Sequence, residues 1–267
     1  MATAGMLGAA SGPAYALIQA DTIATMRRLP PGCIDLAIGD PPYFLSVERG
    51  YTNRGGKRAA VTKGTWDTPT TLTGEHEFHR QWLREVQRLL APHGTLWVSG
   101  THHTIFSIGW ALQHDGWEIL NPVTWKKPAP PPNLGCRTLT HSTEILLWAR
   151  PYKGAPHVFN YAAMKAENGG KQLLDHWTIG RAGGGELAAG RHPTQKPREL
   201  FDRMIKASSV PGAIILEPFA GSGTGALAAR ALGRRWIGID ADPDCFDMAL
   251  RNLTLPPAIT LRAKAAR

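Results

Sequence analysis

Two short stretches of this chain hold side chains whose types and spacing could do chemistry. The first is Asp40-Pro41-Pro42-Tyr43. The two prolines stiffen the turn and carry no N–H, so the local carbonyls stay free as acceptors. Asp40 and a neighbouring carbonyl can together hold both hydrogens of an exocyclic amine, while Tyr43 offers a flat face for stacking. A nucleobase amine is the natural target of such a clamp. Taken alone, the same four residues also read as a Pro-Pro turn capped by Asp.

The second stretch runs from Leu216-Glu217-Pro218-Phe219-Ala220 to Gly221-Ser222-Gly223-Thr224-Gly225. Glycines between a strand and a helix let the backbone turn tightly and lie against a ligand that a Cβ would exclude. Asp240, at the tip of the next apolar run, sits where it can accept hydrogen bonds from two ribose hydroxyls. A nucleoside-containing cofactor is expected. Gly221-x-Gly223-x-x-Ala226 also satisfies a dinucleotide pattern. Against it, Glu217 would oppose a pyrophosphate, and the 27 residues after Asp240 are too few for the rest of a dinucleotide fold. No Gly-Lys-Ser/Thr follows the glycines, which removes a P-loop. S-adenosylmethionine (SAM), with its ammonium, sulfonium and ribose, fits these charges better.

The elements that must position these residues alternate along the chain. Cys33–Ile38 reads as a buried strand stopped by Gly39-Asp40-Pro41-Pro42. Apolar residues at three- and four-residue spacing predict a helix over 75–90. Pro92-His93-Gly94 should end it, and Thr95–Val98 is the next strand. A helix over 105–113 and strands at 117–120, 123–125 and 143–149 follow. Helix 197–208, strand 213–216, helix 226–232, strand 236–239 and helix 244–253 complete the alternation, which implies an α/β sheet with helices on both faces. Between Arg150 and Gly190 the period fails, and the stretch reads as an insertion.

The chain has 267 residues, 43% hydrophobic and 19% charged, a globular composition. A net charge of +9 favours a polyanionic partner, nucleic acid first. Cys33, Cys136 and Cys245 are scattered and odd in number, which argues for a reducing compartment. No signal segment or apolar run of spanning length is found, so a soluble cytoplasmic protein is expected. His76-Glu77-Phe78-His79 lacks the spacing of a zinc helix and reads as a solvated helix start; no metal is expected.

Asp40-Pro41-Pro42-Tyr43, then Arg191-His192-Pro193-Thr194-Gln195-Lys196-Pro197, then Phe219-Ala220-Gly221-Ser222-Gly223-Thr224 together resemble the β-class DNA amino-methyltransferases. These carry the catalytic motif ahead of the cofactor motif, in circularly permuted order. The resemblance implies one Rossmann-like SAM-dependent domain over 1–267, built on a doubly wound, seven-stranded mixed sheet. It divides into a catalytic half (14–150), a target-recognition insertion (151–190) and a SAM-binding half (191–255). It also implies that Asp40 and the Pro41 carbonyl hold the amine, with Pro42 shaping the turn, and that Tyr43 stacks on a base flipped out of the duplex. Phe219, Ala220, Gly221, Ser222, Gly223 and Thr224 would wrap SAM, with Glu217 at the strand's end also binding the cofactor and Asp240 on the ribose. Thr194 and Lys196 would meet its methionine carboxylate, and Asp21 would read its adenine amine. Asp in the first motif position points to adenine N6, whereas cytosine-N4 enzymes usually carry Ser there. Cytosine C5 needs a thiolate after proline, and no cysteine here follows one.

Arg49, Arg54, Lys57, Arg58 and Lys63, in the loop after the catalytic motif, read as a flap that contacts DNA. Lys126-Lys127-Pro128 reads equally as a segment beside DNA or a connector. Double-stranded DNA is the expected partner, and a homodimer and a cognate restriction endonuclease are compatible with the family. The rival readings are cytosine-N4 methylation on the same fold, an NAD(P)-dependent oxidoreductase, and a non-catalytic nucleic-acid-binding module.

Overall fold

The computed structural model describes residues 8–254, except 46, 53–57, 62–66, 68–69, 131, 134–135, 188–189, 191 and 193; for 47–52 and 58–61 it describes the backbone alone. The chain runs β1 (Gly8–Gly12), β2 (Tyr15–Gln19), α1 (Thr22–Met26), β3 (Ile34–Gly39), β4 (Val47–Thr52), β5 (Arg58–Val61), α2 (Leu72–Leu89), β6 (Leu90–Gly100) and α3 (Ile105–His114). It continues through β7 (Glu118–Lys126), β8 (Thr143–Arg150), α4 (Tyr161–Glu167), β9 (His176–Thr178), a short 3-10 turn (Gly184–Leu187), α5 (Arg198–Ser208), β10 (Ile214–Glu217), α6 (Thr224–Ala231), β11 (Arg235–Asp240) and α7 (Pro243–Thr254).

The apolar runs form one mixed sheet in the order β1-β2-β11-β10-β3-β6-β8-β7-β9. Its middle, from β2 to β7, has the seven strands that the resemblance implied. Two short edge strands extend it to nine: β1 pairs antiparallel to β2, and β9 pairs parallel to β7. The segment read as an unpatterned insertion therefore contributes a strand and a helix. Trp177 of β9 and Met164 of α4 are buried, so single anchor residues tie these elements down where no period announces them.

The strands β2, β11, β10, β3 and β6 run parallel, and their near-continuous apolar sequences match burial on both faces. On one face pack α1, α2 and α3, through Met26, Trp82, Leu83, Val86, Ile108 and Leu112. On the other pack α5, α6 and α7, through Leu200, Phe201, Ile205, Ala229, Phe246 and Ala249. The helix expected at 75–90 starts at Leu72, because the Thr71 hydroxyl accepts the Gly74 N–H and caps the first turn. The solvated reading of His79 is corrected. Its ring is buried in the α2 core, accepting the Trp82 indole N–H at 3.2 Å, and burial drives its pKa down to about 4.

The strand order reverses between β3 and β10, since the chain leaves β3 toward β6 but leaves β10 toward β11. That switch opens a crevice outside the carboxyl ends of the strands, the place where open α/β sheets bind ligands. Asp40, Glu217 and Asp240 all stand at those ends.

Candidate active site

The crevice holds a cleft of about 960 Å³, open solvent at its mouth included, walled by Asp40, Pro41, Pro42 and Tyr43 on one side and by Phe219, Gly221, Asp240 and Asp242 on the other. Asp21 and Ile23 from the start of α1, and His192 and Thr194 from the segment before α5, complete it. Residues 200 positions apart thus share one wall because β3, β10 and β11 end side by side.

The floor is the glycine loop between β10 and α6. Gly221 has φ +50° and Gly223 φ +73°, left-handed values that favour glycine, and a Cβ on Gly223 would lie 2.9 Å from that of Ala249. Asp240 ties the loop down: its Oδ2 accepts the Gly221 N–H at 2.8 Å, and its Oδ1 accepts the Asp242 N–H at 3.0 Å. Asn252 of α7 donates to the Ser222 carbonyl at 2.7 Å, and the Ser222 and Thr224 hydroxyls lie 2.9 Å apart. Ala220 is buried, with its N–H on the Ile239 carbonyl. Phe219 packs edge-on to Trp82 and beside Phe78. Asp21 caps α1 through the Ala24 N–H at 2.7 Å, which leaves its other oxygen in the cleft mouth.

Beneath the loop, Glu217 is buried and accepts the Trp236 indole N–H. A Cβ on Gly225 would run into its carboxylate, so this glycine makes room for the acid. Burial, reinforced by the charges of Asp40 and Asp240, raises the Glu217 pKa to about 8 against the pull of the indole bond. Burial likewise raises Asp240 and holds the His192 ring below its usual pKa.

Asp40 sits in a buried network. Its Oδ1 accepts from the Ser99 hydroxyl at 2.6 Å, from the Tyr43 hydroxyl at 2.8 Å and from Lys196 Nζ at 2.8 Å; its Oδ2 accepts from Lys196 at 2.7 Å. The Tyr43 hydroxyl also lies 3.2 Å from Glu144, and the Tyr43 backbone N–H donates to the buried Asp67 at 2.9 Å. Glu144 in turn bonds Lys127 and stands 3.3 Å from Lys196. Burial alone would raise Glu144, but the two lysines outweigh it and bring it down to about 2. Burial would lower Lys196, yet Asp40 and Glu144 raise it.

The structure thus brings together Asp40, Pro41, Pro42, Tyr43, Asp21, Thr194, Phe219, Gly221 and Asp240 around one cleft, with Ala220, Ser222, Gly223, Thr224 and Glu217 in or directly under its floor. Lys196 differs from the expectation. Its ammonium points at Asp40, Tyr43 and Glu144, all three donors in use, instead of standing free for a cofactor carboxylate. Arg49 and Arg58 lie on the separate β4–β5 hairpin; their side chains, and all of Arg54, Lys57 and Lys63, fall outside the described residues. Sequence reading missed Ser99, Glu144 and Asp67, and it gave Lys127, which bonds Glu144, to a segment beside DNA or a connector. Glu144 carried a signal, since a lone carboxylate opening the apolar run Thr143–Ala149 must find a partner when buried.

The cleft fits SAM on its own chemistry. Five aspartates (Asp21, Asp40, Asp67, Asp240, Asp242) and no Lys or Arg are among its described lining residues. That wall suits a cation with ribose hydroxyls and repels a pyrophosphate.

Comparison with known proteins agrees. The chain is similar to the Type II methyltransferases M2.DpnII of Streptococcus pneumoniae, 47% identical over 238 residues (89% of this chain, 88% of that protein), and M2.MboI of Moraxella bovis, 40% identical over 238 residues (89% and 87%). The crystal structure of an M1.HpyAVI–SAM complex, 26% identical, superposes with a TM-score of 0.67 over 90% of this chain and 98% of that one. The cytosine-N4-specific PvuII DNA methyltransferase, 16% identical, gives 0.72 over 94% and 89%, a likeness of fold. The N6/N4 methyltransferase family, described as DNA methylase, matches residues 34–251. With the clamp, the acid-lined cleft and the permuted motif order in one site, the chain belongs to this family of DNA methylases and is a SAM-dependent DNA methyltransferase.

Proposed function

We propose that the enzyme methylates the N6 amine of adenine at a specific DNA site, and that Asp40 and the Pro41 carbonyl hold that amine. The observation that carries this is the placement of the Asp40 carboxylate, locked by Ser99, Tyr43 and Lys196, in the same cleft as Asp240 and the glycine loop. The amine lies inside the duplex stack, so the base is flipped into the cleft, at a cost of about a few kcal/mol. SAM supplies an electrophilic methyl group. Asp40 and the Pro41 carbonyl each accept one amine hydrogen, which turns the nitrogen lone pair out of conjugation with the ring. After transfer the nitrogen sheds a proton, and the Asp40 carboxylate is the base within reach. Tyr43 presents its ring to the base while its hydroxyl stays anchored.

Within the cofactor end, Asp240 and Asp21 receive the ribose and adenine, and Glu217, buried under the glycine loop with its pKa raised to about 8, braces the floor below them. The stretch 151–190 and the loop bearing Arg49, Arg54, Lys57, Arg58 and Lys63 meet double-stranded DNA. Among the described residues no helix is long and apolar enough to cross a membrane. A homodimer and a restriction endonuclease of the same specificity are the partners expected of a Type II enzyme.

The test is incubation of mixed-sequence DNA with isotope-labelled SAM, then digestion and mass spectrometry of the nucleosides. Labelled N6-methyladenine is expected. Labelled N4-methylcytosine would overturn the choice of base, and no label despite SAM binding would overturn the acceptor altogether.

A further inference from the structure

Four charged side chains meet under the clamp: Asp40, Lys196, Glu144 and Lys127. Two are carboxylates and two are ammoniums, so the set is neutral, as a buried cluster must be to avoid a large desolvation cost. Asp40 follows β3, Lys196 precedes α5, Glu144 lies in β8 and Lys127 follows β7, so the neutrality is assembled by the fold.

The two Asp40 oxygens are not equivalent. Oδ1 already accepts from Ser99, Tyr43 and Lys196, which fills its lone pairs. Oδ2 accepts from Lys196 alone and keeps one direction free. Lys196 has no freedom to choose another partner, since it is 6% exposed and its remaining donors are spent on Tyr43 and Glu144.

We infer that Lys196 is a positioning residue for methyl transfer: it holds the Asp40 carboxylate with Oδ2 turned to the amine, and Glu144, braced by Lys127, holds Lys196 in place. This rests on the reading of Asp40 given above. Without the ammonium, Asp40 Oδ2 loses the bond that fixes it, and the carboxylate is free to turn away from the amine. Lys196 therefore acts on the chemical step and leaves cofactor affinity alone.

The experiment compares Lys196→Met, the charge-balanced double variant Lys196→Met/Glu144→Gln and Asp40→Asn with the wild-type chain. It reads SAM affinity by calorimetry and single-turnover methylation at saturating SAM. The double variant leaves one carboxylate and one ammonium, which protects the fold if the single variant fails to fold. Expected for both Lys196 variants is a rate roughly a hundredfold lower with SAM affinity within about threefold. SAM affinity down tenfold or more at an unchanged saturated rate would overturn the inference in favour of a cofactor contact. A lower rate with SAM affinity lost in equal measure would also overturn it, since a merely structural lysine does that. Wild-type-like turnover in Asp40→Asn would instead overturn the reading of Asp40 itself. Loss there, with full turnover in the Lys196 variants, would sink only the present inference.

Discussion

Replacing Glu217 by Gln should remove a penalty that the folded protein carries and that grows with pH. In the fold this acid has its pKa raised from 4.5 to about 8, chiefly by burial. In the unfolded chain it ionises near its ordinary value. Between those two pKa values the folded state binds one more proton than the unfolded state, so stability falls as pH rises. Below about pH 4.5 the penalty is absent, and above about pH 8 it is complete. Within the window each pH unit costs about 1.4 kcal/mol, so from pH 5.5 to 7.5 the loss is about 2.5 kcal/mol. Gln keeps an oxygen for the Trp236 indole N–H and has no proton to lose. Urea unfolding of both proteins at the two pH values isolates the effect, because every other titrating group cancels in the difference. Glu217→Gln should gain on the wild type by about 2.5 kcal/mol between them. A difference that stays constant to within about 0.5 kcal/mol would refute the argument, and would mean that Glu217 is ionised in the fold.

Other perturbations separate the parts of the site. Asp40→Ala should lower turnover by roughly a thousandfold and leave SAM affinity within about threefold, measured by labelled-methyl transfer and calorimetry. Tyr43→Phe keeps the ring but drops the hydroxyl that donates to Asp40 and accepts from Lys196. The expected result is a single-turnover rate about tenfold lower, the worth of one buried hydrogen bond. Gly225→Ala forces a Cβ onto the Glu217 carboxylate; denaturant unfolding should show a loss of about 1–3 kcal/mol.

The alternation of apolar runs and helical periods was legible because β3, β10 and β11 are short apolar runs stopped by turn residues, and α2, α5 and α7 each show one apolar face. The ends of β3, β10 and β11 could therefore be placed, and with them Asp40, Glu217 and Asp240. Boundaries moved where side chains decided them, as at Thr71. The edge strands β1 and β9 escaped notice because Gly8–Gly12 and His176–Thr178 carry little apolar pattern of their own and are strands only by pairing with β2 and β7.

By itself the sequence determined the kind of chemistry: a carboxylate on a stiff proline turn, a glycine loop and an acid after the next strand. These are local arrangements, and residue type with spacing suffices to state them. Only the tertiary structure decided what surrounds the carboxylate. Ser99, Lys196 and Glu144 lie 59, 156 and 104 positions from Asp40. Lys196 reads in the sequence as a cation for an anionic ligand, and in the fold it belongs to Asp40. A lysine at a strand-end crevice takes whichever carboxylates the sheet order sets beside it, because a buried ammonium must be neutralised by its nearest neighbours. Neighbours at such separations are fixed by the order of the strands, which no local pattern records.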